Sequence, residues 1–219
     1  SPKYGFVPTD RFIRLAEANG LIIPIGLWVL EQSARFAARL IQEGINGVII
    51  SVNLSARQLM QGDFVEQAVQ ATVKNGVLPS QIGLELTETA VMESYENNLE
   101  TLRLLKNEGF KLFLDDFGTG YSSLSYLRIF PLDAVKIDKS FVADISDKNH
   151  QPLVRSIIDL AHQINLNVVG EGVETPEQLN CLTNWNCDQV QGYLLGRPVE
   201  EEEAVKIAKR GKVVIQRSM

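Results

Sequence analysis

The sequence is poor in the residues that build soft-metal or redox sites: among 219 residues there are two cysteines and two histidines. Cys181 and Cys187 have five residues between them, which matches no common zinc spacing, and two lone thiols suit a reducing compartment. They are expected in the core or on the surface, not as ligands. Basic residues are also short, with 21 Lys and Arg against 27 Asp and Glu and a net charge of −6. That balance excludes a general binder of polymeric nucleic acid or acidic lipid, and an anionic substrate would need cations to mediate. There is no secretory signal, and the apolar run Leu21 to Leu30 carries Pro24 and is about half the length a bilayer span needs. Also missing are a glycine-rich phosphate turn, a repeat, a linker and a low-complexity stretch. A soluble chain is expected.

What is present is an alternation of strand-like and helix-like segments in a chain that is 45% apolar, enough for one large domain. Helices are expected from a cap at Thr9 to Asn19-Gly20, over Ile25 to Glu43, Asp63 to Lys74, Tyr95 to Glu108 and Leu153 to Gln163, after the start signal Thr175-Pro-Glu-Gln178, and over Glu200 to Lys209. Between them lie apolar runs at Val48–Val52, Ile82–Glu88, Leu112–Leu114, Ala134–Asp138, Val168–Glu171 and near Asp188–Tyr193. Each run carries, at or near its carboxyl end, a residue able to bind metal or substrate: Asn53, Glu85, Asp115, Lys136, Glu171 and Gln191. Their spacing, 20 to 35 residues, is near that of a βα unit.

Functional groups at the carboxyl ends of several successive strands point to a (β/α)8 barrel with about six of its strands present. The rival, a doubly wound open sheet, would concentrate its site at one switch point.

Asp115 and Asp116 form the densest charge in this pattern. Neighbouring strand residues point to opposite faces, so the two carboxylates share a site only if the chain turns, which the Phe117-Gly118-Thr119-Gly120 segment permits. Held close, they repel unless a cation or a shared proton intervenes. With Asn53, Glu85 and Glu171 they make an all-oxygen donor set suited to Mg²⁺ or Mn²⁺. Lys136 and Glu85 lie inside apolar strands, where a charge without a partner is rare. Lys136 could orient a water and add positive charge. Blander readings stand beside these: Asn53 as a turn residue, the aspartates as solvated helix caps, and Glu88, an odd step from Glu85, as a loop brace or a solvent-exposed acid. Trp28 and Trp185 are expected in the core. His150 and His162 are expected to be structural or exposed.

Taken together, Asn53-Leu-Ser, Glu85-Leu-Thr-Glu88, Asp115-Asp-Phe-Gly-Thr-Gly-Tyr-Ser-Ser123, Lys136-Ile-Asp138, Glu171-Gly-Val-Glu174 and Gln191-Gly-Tyr193 resemble, in order and spacing, the EAL family of bacterial cyclic di-GMP phosphodiesterases. The resemblance runs from Gly5-Phe-Val-Pro8 to Gly196-Arg-Pro198. It implies a modified (β/α)8 barrel that cuts cyclic di-GMP to linear pGpG with two Mg²⁺ or Mn²⁺ ions. By position, Asn53, Glu85 and Asp115 match ligands of one ion, and Asp115 and Asp116 ligands of the other. Lys136 and Glu171 match the groups that arrange the water, and Asp138 and Gln191 match residues lining the substrate site. Glu88 matches the loop anchor and Glu174 a supporting acid.

The resemblance also implies a homodimer through Phe117 to Leu127, a cytoplasmic catalytic face, free or attached to a membrane-anchored sensor, and an upstream regulatory domain. The Glu-Ala-Leu signature and a phosphate-binding arginine belong to a strand before Ser1, so residues 1–219 are expected to be one domain without its first two strands. A different class remains open: a catalytically silent cyclic di-GMP receptor or a docking module. Such members usually lose the Asp-Asp pair, the lysine or the loop glutamate, all of which stand here. An enolase-like barrel would also present carboxylates and a lysine, and the Asp-Asp doublet with its serine-rich loop argues against it.

Overall fold

A computed structural model describes residues 5, 7–119, 127–145 and 151–211. Its strands are β1 (Ile50–Asn53), β2 (Ile82–Thr87), β3 (Lys111–Phe117), β4 (Ala134–Ile137), β5 (Asn167–Gly170) and β6 (Gln189–Val190). They form one parallel sheet in the order β1-β2-β3-β4-β5-β6. Each strand lies beside its successor, so the sheet has no reversal of winding and therefore no switch point. This is the wall of a (β/α) barrel, six strands of a half-barrel among the described residues.

The two faces of the wall differ in chemistry. Leu84, Leu86, Leu112, Leu114, Val135, Ile137 and Val168 point outward and are buried under the helices. Those helices are α1 (Thr9–Asn19), α2 (Ile22–Gln42), α3 (Ala56–Leu59), α4 (Phe64–Val73), α5 (Glu88–Met92), α6 (Tyr95–Asn107), α7 (Lys139–Ala143), α8 (Gln151–Gln163), α9 (Pro176–Asn184) and α10 (Glu201–Lys209). Period-2 alternation sends the other set, including Ser51, Glu85, Lys111, Lys136, Asn167 and Gln189, to the concave side, where they line a cavity of about 280 Å³. None of the described helices is long and apolar enough to cross a membrane.

At the amino ends of the strands, acids stitch neighbours together. Asp133, just before β4, accepts from the Leu112 N–H of β3 at 2.9 Å and pairs with Lys106 at 2.6 Å and Lys111 at 3.2 Å. Asp188, just before β6, accepts from the Val168 N–H of β5 at 2.8 Å and pairs with His162 at 2.9 Å. Two elements far apart in sequence also meet on the outside, where Arg39 of α2 binds Glu201 and Glu202 of α10 at 2.7 and 2.8 Å.

Most boundaries fall within a residue or two of expectation, with informative departures. Thr9 does not cap α1; it is the first helical residue, and Pro8 holds the capping position with no side-chain hydrogen bond. Gly20 closes the helix at φ +78°, as Asn19-Gly20 suggested. Thr175 and Gln178 form the anticipated capping box on α9. The strand expected near Asp188–Tyr193 shrinks to Gln189–Val190, because Gly192 breaks away to lie against Val173. Trp28 is not a core residue: it is 61% exposed, turned away from the buried face of α2. Trp185 caps the end of α9 and packs on the core. His150 lies outside the described residues.

Candidate active site

Successive strands deliver the site. Asn53 ends β1 in register with Glu85 of β2, and the Leu54 N–H donates to the Glu85 carbonyl at 2.8 Å. Asp115 sits on β3 in register with Thr87. Lys136 occupies β4, and Glu171 follows β5 directly, its N–H donating to the Ile137 carbonyl at 3.2 Å.

Lys136 is the centre of the cluster. It is 4% exposed, and its Nζ lies 2.7 Å from Glu85 Oε2, 2.7 Å from Glu171 Oε1 and 3.2 Å from Asp115 Oδ1. Burial alone would push the lysine down, but the hydrogen bonds to Glu171 and Glu85 outweigh it and hold the ammonium firmly charged. Three carboxyl groups surround this one ammonium, so acid outnumbers base in the cluster. Accordingly Glu171 is raised above the usual carboxylate range, first by burial and then by repulsion from Asp115 and Glu85, against the pull of Lys136.

The Asp115-Asp116 doublet gets its turn from an unexpected place. The chain does not wait for the glycine segment: Asp116 itself takes a left-handed backbone, φ +54°, and the β3–β4 register slips between Leu114 and Phe117. A non-glycine residue in that conformation costs on the order of 1 kcal/mol and marks a place where the fold over-determines the backbone. The Asp115 carboxylate accepts from the Asp116 N–H at 3.0 Å. Asp116 has a raised carboxyl, through burial and then repulsion from Asp115 and Asp138. Gly118 completes the bend at φ +98°, with the Phe141 ring where a side chain would otherwise sit.

The remaining residues surround this centre without joining it. Glu88 is the first residue of α5, not a strand residue, and is 8% exposed, so the solvent-exposed alternative fails. Its Oε2 has no hydrogen-bond partner among the described residues. Asp138 caps α7, accepting from the Ser140 N–H at 2.9 Å; burial would raise its carboxyl, but Ser140 and the Lys139 N–H hold it low. Gln191 is exposed and lines the same concave cavity as Glu85 and Lys136. Glu174 is exposed, and its N–H donates to the buried Gln178 side chain at 2.7 Å. Asn53 is exposed at its strand end. The loops carrying Gln191 and Glu171–Glu174 lock through the Val173 N–H to Gln191 carbonyl bond at 3.0 Å and the close approach of Gly192, whose added Cβ would come within 2.1 Å of Val173 backbone. Residues 120–126, most of the segment expected to form a dimer contact, lie outside the described residues.

Sequence reasoning passed over the Asp133–Lys106–Lys111 cluster and the buried Gln58. The first leaves a faint trace, an acid just before an apolar run; the second was visible as Ser55-x-x-Gln58, a capping-box spacing.

The donor chemistry fits hard divalent cations: every candidate ligand presents oxygen, and the cluster carries excess negative charge that a lysine cation only partly offsets. Among the described residues no three acidic, histidine or cysteine side chains form a closed cage by themselves, because Lys136 stands between the carboxylates.

Fold and site define an α/β half-barrel whose working face is an acidic, lysine-centred cluster at the carboxyl ends of parallel strands. The chain belongs to the EAL domain family, which matches residues 1–198. It is 41% identical over 199 residues to the cyclic di-GMP phosphodiesterase NbdA of Pseudomonas aeruginosa, covering 90% of this chain and 25% of NbdA. It is 40% identical over 200 residues to the cyclic di-GMP phosphodiesterase PdeR of Escherichia coli, covering 91% of this chain and 30% of PdeR. The chain thus spans roughly a quarter to a third of such relatives. Among solved structures it is similar to the PaMucR phosphodiesterase in its c-di-GMP complex, with TM-score 0.88 and 38% identity over 93% of this chain and 83% of that one. The manganese/cy-diGMP complex of Klebsiella pneumoniae BlrP1 at pH 6 matches with TM-score 0.78 and 30% identity over 90% of this chain and 49% of that one.

Proposed function

We propose that this chain is a cyclic di-GMP phosphodiesterase that opens one phosphodiester bond to give linear pGpG, using two divalent cations, Mg²⁺ or Mn²⁺. The observation that carries the reading is the convergence of Glu85, Asp115 and Glu171 on the buried Lys136, beside the left-handed Asp116. Family membership and the phosphodiesterase names of its relatives support the reaction, and the manganese complex of a structural neighbour supports divalent cations.

In this reading Asn53, Glu85 and Asp115 hold one ion, and Asp115 and Asp116 hold the other. Bound by these residues, the two ions would supply Lewis-acid charge that offsets the negative charge developing as the phosphodiester opens. The protein's own groups do the rest. Lys136 and Glu171, 2.7 Å apart, orient the attacking water. Lys136 stays charged and stabilises negative charge as it develops on the phosphate. Asp138 and Gln191 flank the dinucleotide, Glu88 anchors the loop beyond Asp116, and Glu174 supports the Glu171 loop. A homodimer through Phe117 to Leu127, a regulatory domain in a longer parent protein and a cytoplasmic location belong to the same reading.

The test is chromatography of cyclic di-GMP incubated with the protein and Mg²⁺ or Mn²⁺. Linear pGpG is expected, and a chelator should stop its formation. Binding of the dinucleotide with no cleavage under either cation would favour the silent-receptor reading.

A further inference from the structure

We propose that Gln58, seated in a notch that Gly26 opens in α2, is a positioning residue for Asn53 and so sets the affinity of the site for its divalent cation. The inference rests on the reading of Asn53 as a metal ligand.

Gln58 is a polar side chain buried to 4% exposure, far outside the acidic cluster's hydrogen bonds. Its Oε1 accepts from the Ser55 N–H at 3.2 Å and the Ser55 hydroxyl at 3.1 Å, while Ser55 Oγ accepts from the Gln58 N–H at 3.3 Å. This capping box starts α3 only two residues after Asn53. Between Asn53 and this box, the Leu54 N–H donates to the Glu85 carbonyl. The exit of β1 is therefore pinned at Leu54 by the sheet and at Ser55 by Gln58. A four-residue helix cannot hold that geometry alone, since it contains barely one turn.

The amide keeps its place because Gly26 leaves room for it. A Cβ at Gly26 would lie 2.0 Å from Gln58 Nε2, 2.4 Å from Cδ and 2.6 Å from Oε1. Glycine inside a 21-residue helix is otherwise unfavourable by about 1 kcal/mol relative to alanine. The notch accounts for its presence. Side chains that orient a ligand from behind typically change metal affinity about 10- to 100-fold when altered.

The experiment titrates Mn²⁺ into the protein without substrate, following free Mn²⁺ by electron paramagnetic resonance, with far-ultraviolet circular dichroism to verify folding. Gln58→Leu, which keeps the volume and loses the acceptor, is expected to weaken Mn²⁺ binding about tenfold or more. Gln58→Glu, which keeps an acceptor at the third helical position, is expected to stay within about threefold of the parent. Gly26→Ala keeps the glutamine in the sequence but fills its notch, so the amide must shift away from Ser55, and it is expected to weaken binding in the same direction. If Gln58→Leu fails to fold, Gly26→Ala carries the test. Unchanged Mn²⁺ affinity in the folded variants, together with a loss in Asn53→Ala, overturns the proposal and leaves Gln58 a structural residue. Unchanged affinity in Asn53→Ala refutes the ligand reading of Asn53 instead, and the proposal falls with it.

Discussion

Lys136 is an ammonium held in the wall of the sheet by three carboxylates, so replacing it changes stability as well as chemistry. In Lys136→Met, Glu85, Asp115 and Glu171 lose their shared cation. Breaking a buried charge pair by removing one partner typically costs about 3–5 kcal/mol. Thermal unfolding in chelator should show that loss, and added Mn²⁺ should recover part of it by replacing the missing positive charge. Asp116 behaves in the opposite sense. Its carboxyl is raised by burial and by Asp115, so its ionised form weakens the fold. Asn tolerates the left-handed backbone well. Asp116→Asn is therefore expected to raise stability slightly, the gain being limited by solvent screening of a carboxyl that is only partly buried, while reducing pGpG formation more than about hundredfold. The stability gain should be full at neutral pH, where the parent carboxylate is ionised, and should vanish at acid pH, where it is already protonated. Equilibrium unfolding at several pH values measures both.

At the scale of elements, the amino ends of the strands depend on Asp133. Burial would raise its carboxyl, but Lys106, the Leu112 N–H and Lys111 together hold it below the usual range. A depressed carboxyl stabilises the fold above its unfolded value, near 3.9, and that stabilisation is lost as pH falls through the lower folded value. Asp133→Asn should therefore cost about 2 kcal/mol at neutral pH and almost nothing at the acid end, in urea titrations across that window. The carboxyl ends depend on a backbone contact instead. Gly192→Ala would press a methyl group into Val173 backbone, which cannot swing aside as a side chain can. Overpacking of this kind costs about 1–3 kcal/mol, and it should part the Gln191 and Glu171 loops, lowering turnover at a fixed Mn²⁺ concentration.

These two ends also show what the sequence made legible. The strands could be read because apolar runs carried polar or charged residues in a barrel-like rhythm, and the helix capped by Thr175 could be read because a capping box is local. The turn at Asp116 could not, because a left-handed aspartate is selected by the packing of β3 against β4, not by its own preference. Trp28 misled for the same reason: helical spacing marks candidates for the buried face, and the tertiary packing of α2 leaves this one outside. The Gly26–Gln58 contact joins α2 to α3 across the chain, and no local pattern carries it.

Over the whole molecule, one parallel sheet separates two environments. Its outer face is an apolar core under helices, and its concave face carries the polar side chains that become the site. The alternation of side chains along each strand makes this division, so function sits on the side the core does not need. On the proposed reading, the Lys136-centred cluster on that side cleaves cyclic di-GMP. The most direct measurement compares the parent protein and Lys136→Met at the same Mn²⁺ concentration, following pGpG by chromatography and dinucleotide binding by calorimetry. The account predicts rapid pGpG formation by the parent, and a loss of at least about hundredfold in the variant with binding of cyclic di-GMP retained. A folded Lys136→Met protein that forms pGpG at the parent rate would contradict it.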